Sequence, residues 1–174
     1  MINLYIDFDG VIMNTIEVGY REIKDLGQEV CDESCTNYYS NLNWKEFLNK
    51  KCSPINNSIE CIQKIIDSNM FNVNILSHVV SLDEAIEKIK YIRKYFKDIT
   101  FIPVPRKISK TKMVHTEKSI LIDDYSGNLR EWENCGGIGI RFSEKLDSKG
   151  FYVINRLDQI IEYVKLNRDV INNG

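Results

Sequence analysis

No apolar run in this 174-residue chain approaches the roughly 20 residues needed to cross a bilayer. A basic surplus is also missing: 23 Lys and Arg stand against 25 Asp and Glu, for a formal net charge of -2. Because a general nucleic-acid binder needs excess cations to neutralise phosphates, that class is disfavoured. The N-terminus has no basic start, and Asp7 and Asp9 fall where a secretory signal would need apolar residues. These absences predict a cytoplasmic protein with neither a membrane nor a stable nucleic-acid partner. There is no internal repeat and no Gly/Ser-rich or Pro-rich linker. The five cysteines are an odd number, which excludes a fully paired disulfide framework. Four of them lie between Cys31 and Cys61. With no second short pair and no histidine among them, ordinary reduced thiols are set against a structural zinc site.

What is present suits one domain with a small insertion, since 43% of residues are hydrophobic and 28% charged. Short apolar runs read as buried strands at Asn3–Phe8, Val73–Leu76, Thr100–Val104, Ser119–Ile122 and Gly139–Phe142. Helices are predicted between them. One runs over Leu82–Phe96 with Ala85, Ile86, Ile89, Ile92 and Phe96 on its apolar face, and others over Asn128–Cys135 and Leu157–Leu166. Alternation of this kind predicts a Rossmann-like α/β fold, a parallel sheet with right-handed crossovers. Ligands of such sheets bind off the C-terminal strand ends, where Asp7, Ser77 and Asp123 fall.

Residues 15–68 interrupt the alternation and are too long for a simple crossover. They contain an amphipathic helix with Ile16, Tyr20, Ile23 and Leu26, then an aromatic patch of Tyr38, Tyr39, Trp44 and Phe47, then a helix with Ile59, Ile62, Ile65 and Ile66. We read this stretch as a helical cap over the strand ends, with residues 1–14 and 69–174 as the core.

The chemistry-bearing residues are mostly acids. Asp7-Phe8-Asp9-Gly10 places two carboxylates where a strand stops, and Gly10 allows a sharp turn. A calcium loop is excluded because apolar residues precede it and no Glu stands at the twelfth position. Asp123-Asp124 ends another strand, and two adjacent acids there repel each other unless a cation neutralises them. Mg2+ suits such an oxygen set and leaves room for a phosphate. Ser77, with His78 beside it, can present a hydroxyl and free backbone N–H groups to phosphate oxygens. Lys110 and Lys112 offer a balancing cation.

These four elements, in this order, resemble the haloacid dehalogenase-like phosphohydrolase superfamily. The resemblance implies that Asp7 is a nucleophile forming an aspartyl-phosphate and that Asp9 is the general acid and base. It implies that Asp7, the Asp9 carbonyl, Asp123 and, through water, Asp124 hold Mg2+. Ser77 and a lysine would grip the phosphoryl group. An acid at position 9 favours phosphate-ester hydrolysis over dehalogenation. The segment Asp123-Asp124-Tyr125-Ser126-Gly127-Asn128, followed by Trp132, is similar to the 5'(3')-deoxyribonucleotidase branch. That implies a nucleoside monophosphate substrate, with aromatics of the Tyr38–Phe47 patch against the base. The separation of Lys112 from Asp123 resembles the pattern of this branch most closely, which implies Lys112 as the gripping lysine, with Lys110 the runner-up. Two alternatives are a sugar-phosphate or metabolite phosphatase and a catalytically idle phosphate-binding regulatory module.

Overall fold

A computed structural model describes residues 1–167. Six parallel strands form one sheet: β1 (Ile2–Ile6), β2 (Phe71–Val79), β3 (Thr100–Pro105), β4 (Ile120–Asp123), β5 (Ile138–Phe142) and β6 (Tyr152–Ile154). Their spatial order is β3-β2-β1-β4-β5-β6. The order reverses between β1 and β4, which are paired through Leu4–Ile120 and Ile6–Ile122. That reversal opens a crevice beyond the C-terminal ends of both strands. Asp7 follows β1 directly and Asp123 closes β4, so the topology alone brings these acids together.

Both sheet faces are buried, as the continuous apolar runs imply, with successive residues pointing to opposite faces. Leu4 and Ile6 point into the larger core with Ile75, Ile120 and Ile122, while Tyr5, Leu76 and Leu121 point into a smaller one with Trp132. The smaller core is closed by α6 (Ser126–Asn134), whose Trp132 packs edge-on against Tyr5 at 5.3 Å between ring centres. The strands are those expected, with β6 added. It is three residues long and lies at the sheet edge, so its apolar pattern is too short to stand out. Strand β2 is longer than its apolar run: it continues past Leu76 to Val79, with Ser77 and His78 paired to Pro103 and Val104 of β3. Ser77 therefore lies inside the strand and does not end it.

Between β1 and β2 the chain forms α1 (Thr15–Asp25), α2 (Asp32–Ser40), a short α3 (Trp44–Glu46) that runs into a π-helical turn at Phe47–Lys51, and α4 (Ser58–Asp67). Helix α2 was not predicted, because its sequence is polar and buries only Cys35 and Tyr39. Gly19 lets α1 approach α2, since a β-carbon there would collide with the Tyr39 hydroxyl. Val18, Ile23, Tyr39, Trp44 and Phe47 belong to the same continuous core as β1 and β2. All five cysteines are free.

Helix α5 (Leu82–Arg93) corrects the sequence reading in an informative way. Ile86 is on the exposed side, while Glu84, Glu87 and Lys88 are buried with Ala85, Tyr91 and Ile92. The helix therefore turns a partly charged face inward. Hydrophobic periodicity is silent about that, because it scores charges as outward-facing.

Candidate active site

Beyond Ile6 the chain turns tightly, with the Ile12 and Met13 amides both donating to the Phe8 carbonyl. The turn needs Gly10, whose φ is +72° and whose missing β-carbon would strike the Asp124 carboxylate. Asp7 is buried at the head of this turn, where its Oδ1 accepts from the Phe8 amide at 2.8 Å.

Opposite it, Asp123 accepts from the Tyr125 amide at 2.8 Å and from Asn128 Nδ2 at 2.9 Å. Asp124 is steadied through its carbonyl, which accepts from the buried Arg141 guanidinium on β5. Lys110, in the single 3₁₀ turn Lys110–Lys112, joins the two strand ends. Its ammonium donates to Asp123 Oδ2 at 2.7 Å and lies 3.0 Å from Asp7 Oδ1.

The expectation that favoured Lys112 is corrected here. Lys112 is exposed, whereas Lys110 is 2% exposed and sits inside the acid cluster. Two positions apart on a three-residue turn, the two side chains leave in different directions.

Asp9 lies one pleat away. Thr15 Oγ1 donates to its Oδ1 at 2.7 Å, and Ser77 Oγ donates to its Oδ2 at 3.3 Å. The Lys88 ammonium also donates to Oδ2. His78 Nε2 donates to the Ile108 carbonyl at 2.9 Å, tying the end of β2 to the loop that carries Lys110.

A cavity of about 620 Å³ opens over these strand ends. Asp7, Asp9, His78, Asp124 and Asn128 line its floor, and Ile16, Tyr20, Asp32, Tyr39 and Trp44 from α1–α3 line its other wall. Arg106 and Lys107 stand at the loop after β3. Ser77 and Asp123 are fully buried behind this surface.

No protein-family model matches the sequence, and no curated protein matches it. Solved structures do match the fold. A haloacid dehalogenase-like family protein from Streptococcus pneumoniae superposes with a TM-score of 0.63 at 12% identity, covering 94% of this chain and 98% of that one. A β-phosphoglucomutase from Clostridium difficile gives 0.61 at 13% identity, covering 100% of both chains. A predicted phosphoglycolate phosphatase from Haemophilus somnus gives 0.56 at 8% identity, covering 92% of this chain and 96% of that one. This is the haloacid dehalogenase-like fold.

Within this haloacid dehalogenase-like fold, the acids are under electrostatic stress. Burial pushes the Asp7 carboxyl up to about 7; Lys110 pulls against that, while Asp123 and Asp9 add to it. Burial, then Asp123 and Asp7, holds Asp124 well above the ordinary carboxylate range. Burial disfavours the Lys110 ammonium, but Asp123 and Asp7 more than offset this and raise its pKa. One carboxylate oxygen each from Asp7, Asp123 and Asp124 lies within 4.8 Å of the other two. Three crowded hard oxygens of this kind fit Mg2+, whose charge relieves the repulsion. Asp9 contributes no side-chain oxygen to this group.

The four aromatics of the expected base-binding patch divide. Tyr39 and Trp44 reach the cavity wall but stack on each other at 5.7 Å, and Trp44 is 1% exposed. Tyr38 and Phe47 do not line the cavity; they pack edge-on against each other at 6.3 Å. Tyr20, half-exposed on α1, is the aromatic with a free surface on that wall. Sequence reasoning missed Lys88 and Arg141 altogether. The Glu84–Lys88 spacing of four on a helix was the available signal for the first.

Proposed function

We propose that the chain is a phosphomonoesterase acting on small sugar phosphates or related phosphorylated metabolites through an aspartyl-phosphate on Asp7. The observation that carries this is the Asp7–Lys110–Asp123 contact at the crevice between β1 and β4, beside Asp124. It combines a nucleophile, a cation for the transferring group and an oxygen set for Mg2+. When bound, Mg2+ would supply positive charge against the phosphoryl oxygens, held by Asp7, the Asp9 carbonyl, Asp123 and Asp124.

An Asp7 carboxylate oxygen attacks phosphorus as the ester P–O bond breaks, and Asp9 gives its proton to the departing oxygen. Water then attacks the aspartyl-phosphate, Asp9 takes the water's proton, and inorganic phosphate leaves with Asp7 restored. Lys110 balances charge on the phosphoryl oxygens throughout. Ser77 is one hydrogen bond behind Asp9, and His78 faces the cavity.

Support for the substrate class comes from the cavity wall. Tyr39 and Trp44 of the expected patch are buried and stacked on each other, which leaves Tyr20 and Tyr125 as the exposed aromatics lining the cavity, while the polar floor suits a hydroxylated leaving group. The neighbours named for phosphoglycolate and phosphoglucose chemistry lean the same way. A panel of sugar phosphates and nucleoside monophosphates, assayed with Mg2+ for released phosphate, tests the proposal. Sugar phosphates should give the higher kcat/KM, and Asp7→Asn should abolish turnover. Faster hydrolysis of nucleotides would restore the deoxyribonucleotidase reading. Phosphate binding with no turnover on any ester would leave an idle regulatory module.

A further inference from the structure

Helix α5 carries a lysine that belongs to none of the four sequence elements above. Lys88 is 0% exposed, and its ammonium reaches the Asp9 carboxylate, Glu84 Oε1 at 2.6 Å, and Ser77 Oγ and the His78 carbonyl at 3.3 Å each. The nitrogen also lies 5.2 Å from the centre of the Phe8 ring and 5.1 Å from that of Trp44. Burying a lysine requires a counter-charge, and Glu84, one turn earlier on the same helix, already provides it. The further bond to Asp9 extends from α5 to the strand ends and has no need to exist for α5 to be stable.

We propose that Lys88 is a positioning residue for the reaction: it holds the Asp9 carboxylate and the Ser77 hydroxyl in the one arrangement from which Asp9 can serve the leaving group. This rests on the phosphomonoesterase reading. Asp9 is gripped at both oxygens, by Thr15 from α1 at Oδ1 and by Lys88 from α5 at Oδ2. Those two contacts leave its side chain little torsional freedom. Lys88 touches no substrate, because Trp44 and Phe8 cover it, and it gives up no proton in either step. Its contribution is to keep Asp9 aimed at the ester oxygen as the P–O bond breaks. Thr15 and Trp44 both come from the segment between β1 and β2, so packing of that segment bears on Asp9 directly through Thr15 and indirectly through Lys88.

The dependence of rate on leaving group separates positioning from structural support. A sugar phosphate must have its leaving oxygen protonated, whereas p-nitrophenolate departs without help. Lys88→Met keeps the length and removes the charge. Lys88→Met/Glu84→Gln also removes the orphaned carboxylate, so it serves if the single variant fails to fold. For whichever variant folds by circular dichroism, kcat/KM should fall at least about 30-fold further on the best sugar phosphate than on p-nitrophenyl phosphate, within the range general-acid catalysis supplies. That constant reports only steps up to departure of the leaving group, and not the shared hydrolysis of the aspartyl-phosphate. KM should move by less than about 3-fold. Equal losses on both esters, no loss on either, or failure of both variants to fold would each overturn the proposal. Wild-type enzyme and Asp7→Asn are run alongside. If the wild type hydrolyses neither ester, or Asp7→Asn matches it, the phosphomonoesterase reading itself has failed and the inference falls with it.

Discussion

Gly10 and Asp124 are in contact across the crevice, so close that any β-carbon at position 10 would overlap the Asp124 carboxylate. One turn of chain after β1 is thereby fitted to the end of β4, and a residue with no side chain sets the spacing of the acids.

Gly10→Ala should therefore disturb the oxygen cluster more than its size suggests. It forces a φ of +72° on a residue with a β-carbon and displaces Asp124. The conformational cost alone is about 1–2 kcal/mol. A lower melting temperature together with at least about 10-fold weaker Mg2+ binding, by calorimetry, is expected, since one of three carboxylates shifts. Unchanged Mg2+ affinity would show that Asp124 is not needed in the cluster.

Lys110 and Lys112 should behave oppositely. Lys110→Met removes the cation between Asp7 and Asp123, and kcat/KM for the best phosphate ester should fall by at least about 100-fold, as when a transition-state donor is lost. Lys112 is exposed, and Lys112→Met should change kcat/KM by less than about 2-fold. A reversed result would return the phosphate-binding role to Lys112.

The metal-free protein should lose stability as pH rises. The Asp7 carboxyl is raised from 3.8 in the unfolded chain to about 7 in the folded one. Between those values the folded state keeps a proton that the unfolded chain releases, so the unfolding free energy falls with pH and levels off above about 7. Thermal melts of chelator-treated protein from pH 4 to 8 should show this decline. Asp7→Asn should melt higher than the wild type at pH 8 and converge with it at pH 4. Saturating Mg2+ should flatten the wild-type slope, and chelation should abolish turnover until Mg2+ is returned. A flat metal-free profile would mean that Asp7 ionises freely in the folded state.

Much of the architecture was legible in the sequence because strands buried on both faces are short apolar runs, and their ends are marked by the residues that stop them. Asp7 and Asp123 are recognisable at those ends because an acid abruptly follows isoleucine, whereas Ser77 marks where the apolar run of β2 stops, two residues before the strand does. Strand β6 and helix α2 were not legible, being respectively too short and too polar for either periodicity to register. The aromatic patch was visible as composition, but composition does not distinguish a free ring face from one stacked on its neighbour.

By itself, the sequence determined the alternating α/β order, the acids at the strand ends and the long helical segment between the first two strands. Those features are local, set by side-chain period and by turn residues a few positions apart. Which lysine meets the acids, and which face of α5 turns inward, were decided only by the tertiary structure. Lys110 and Lys112 are two positions apart on one 3₁₀ turn, and only the position of β4 puts one of them against Asp7 and Asp123. Lys88 reads as a surface charge until the crevice places Asp9 and Ser77 opposite it. A buried charge is stable only where partners distant in sequence converge on it, and a one-dimensional pattern does not contain that convergence.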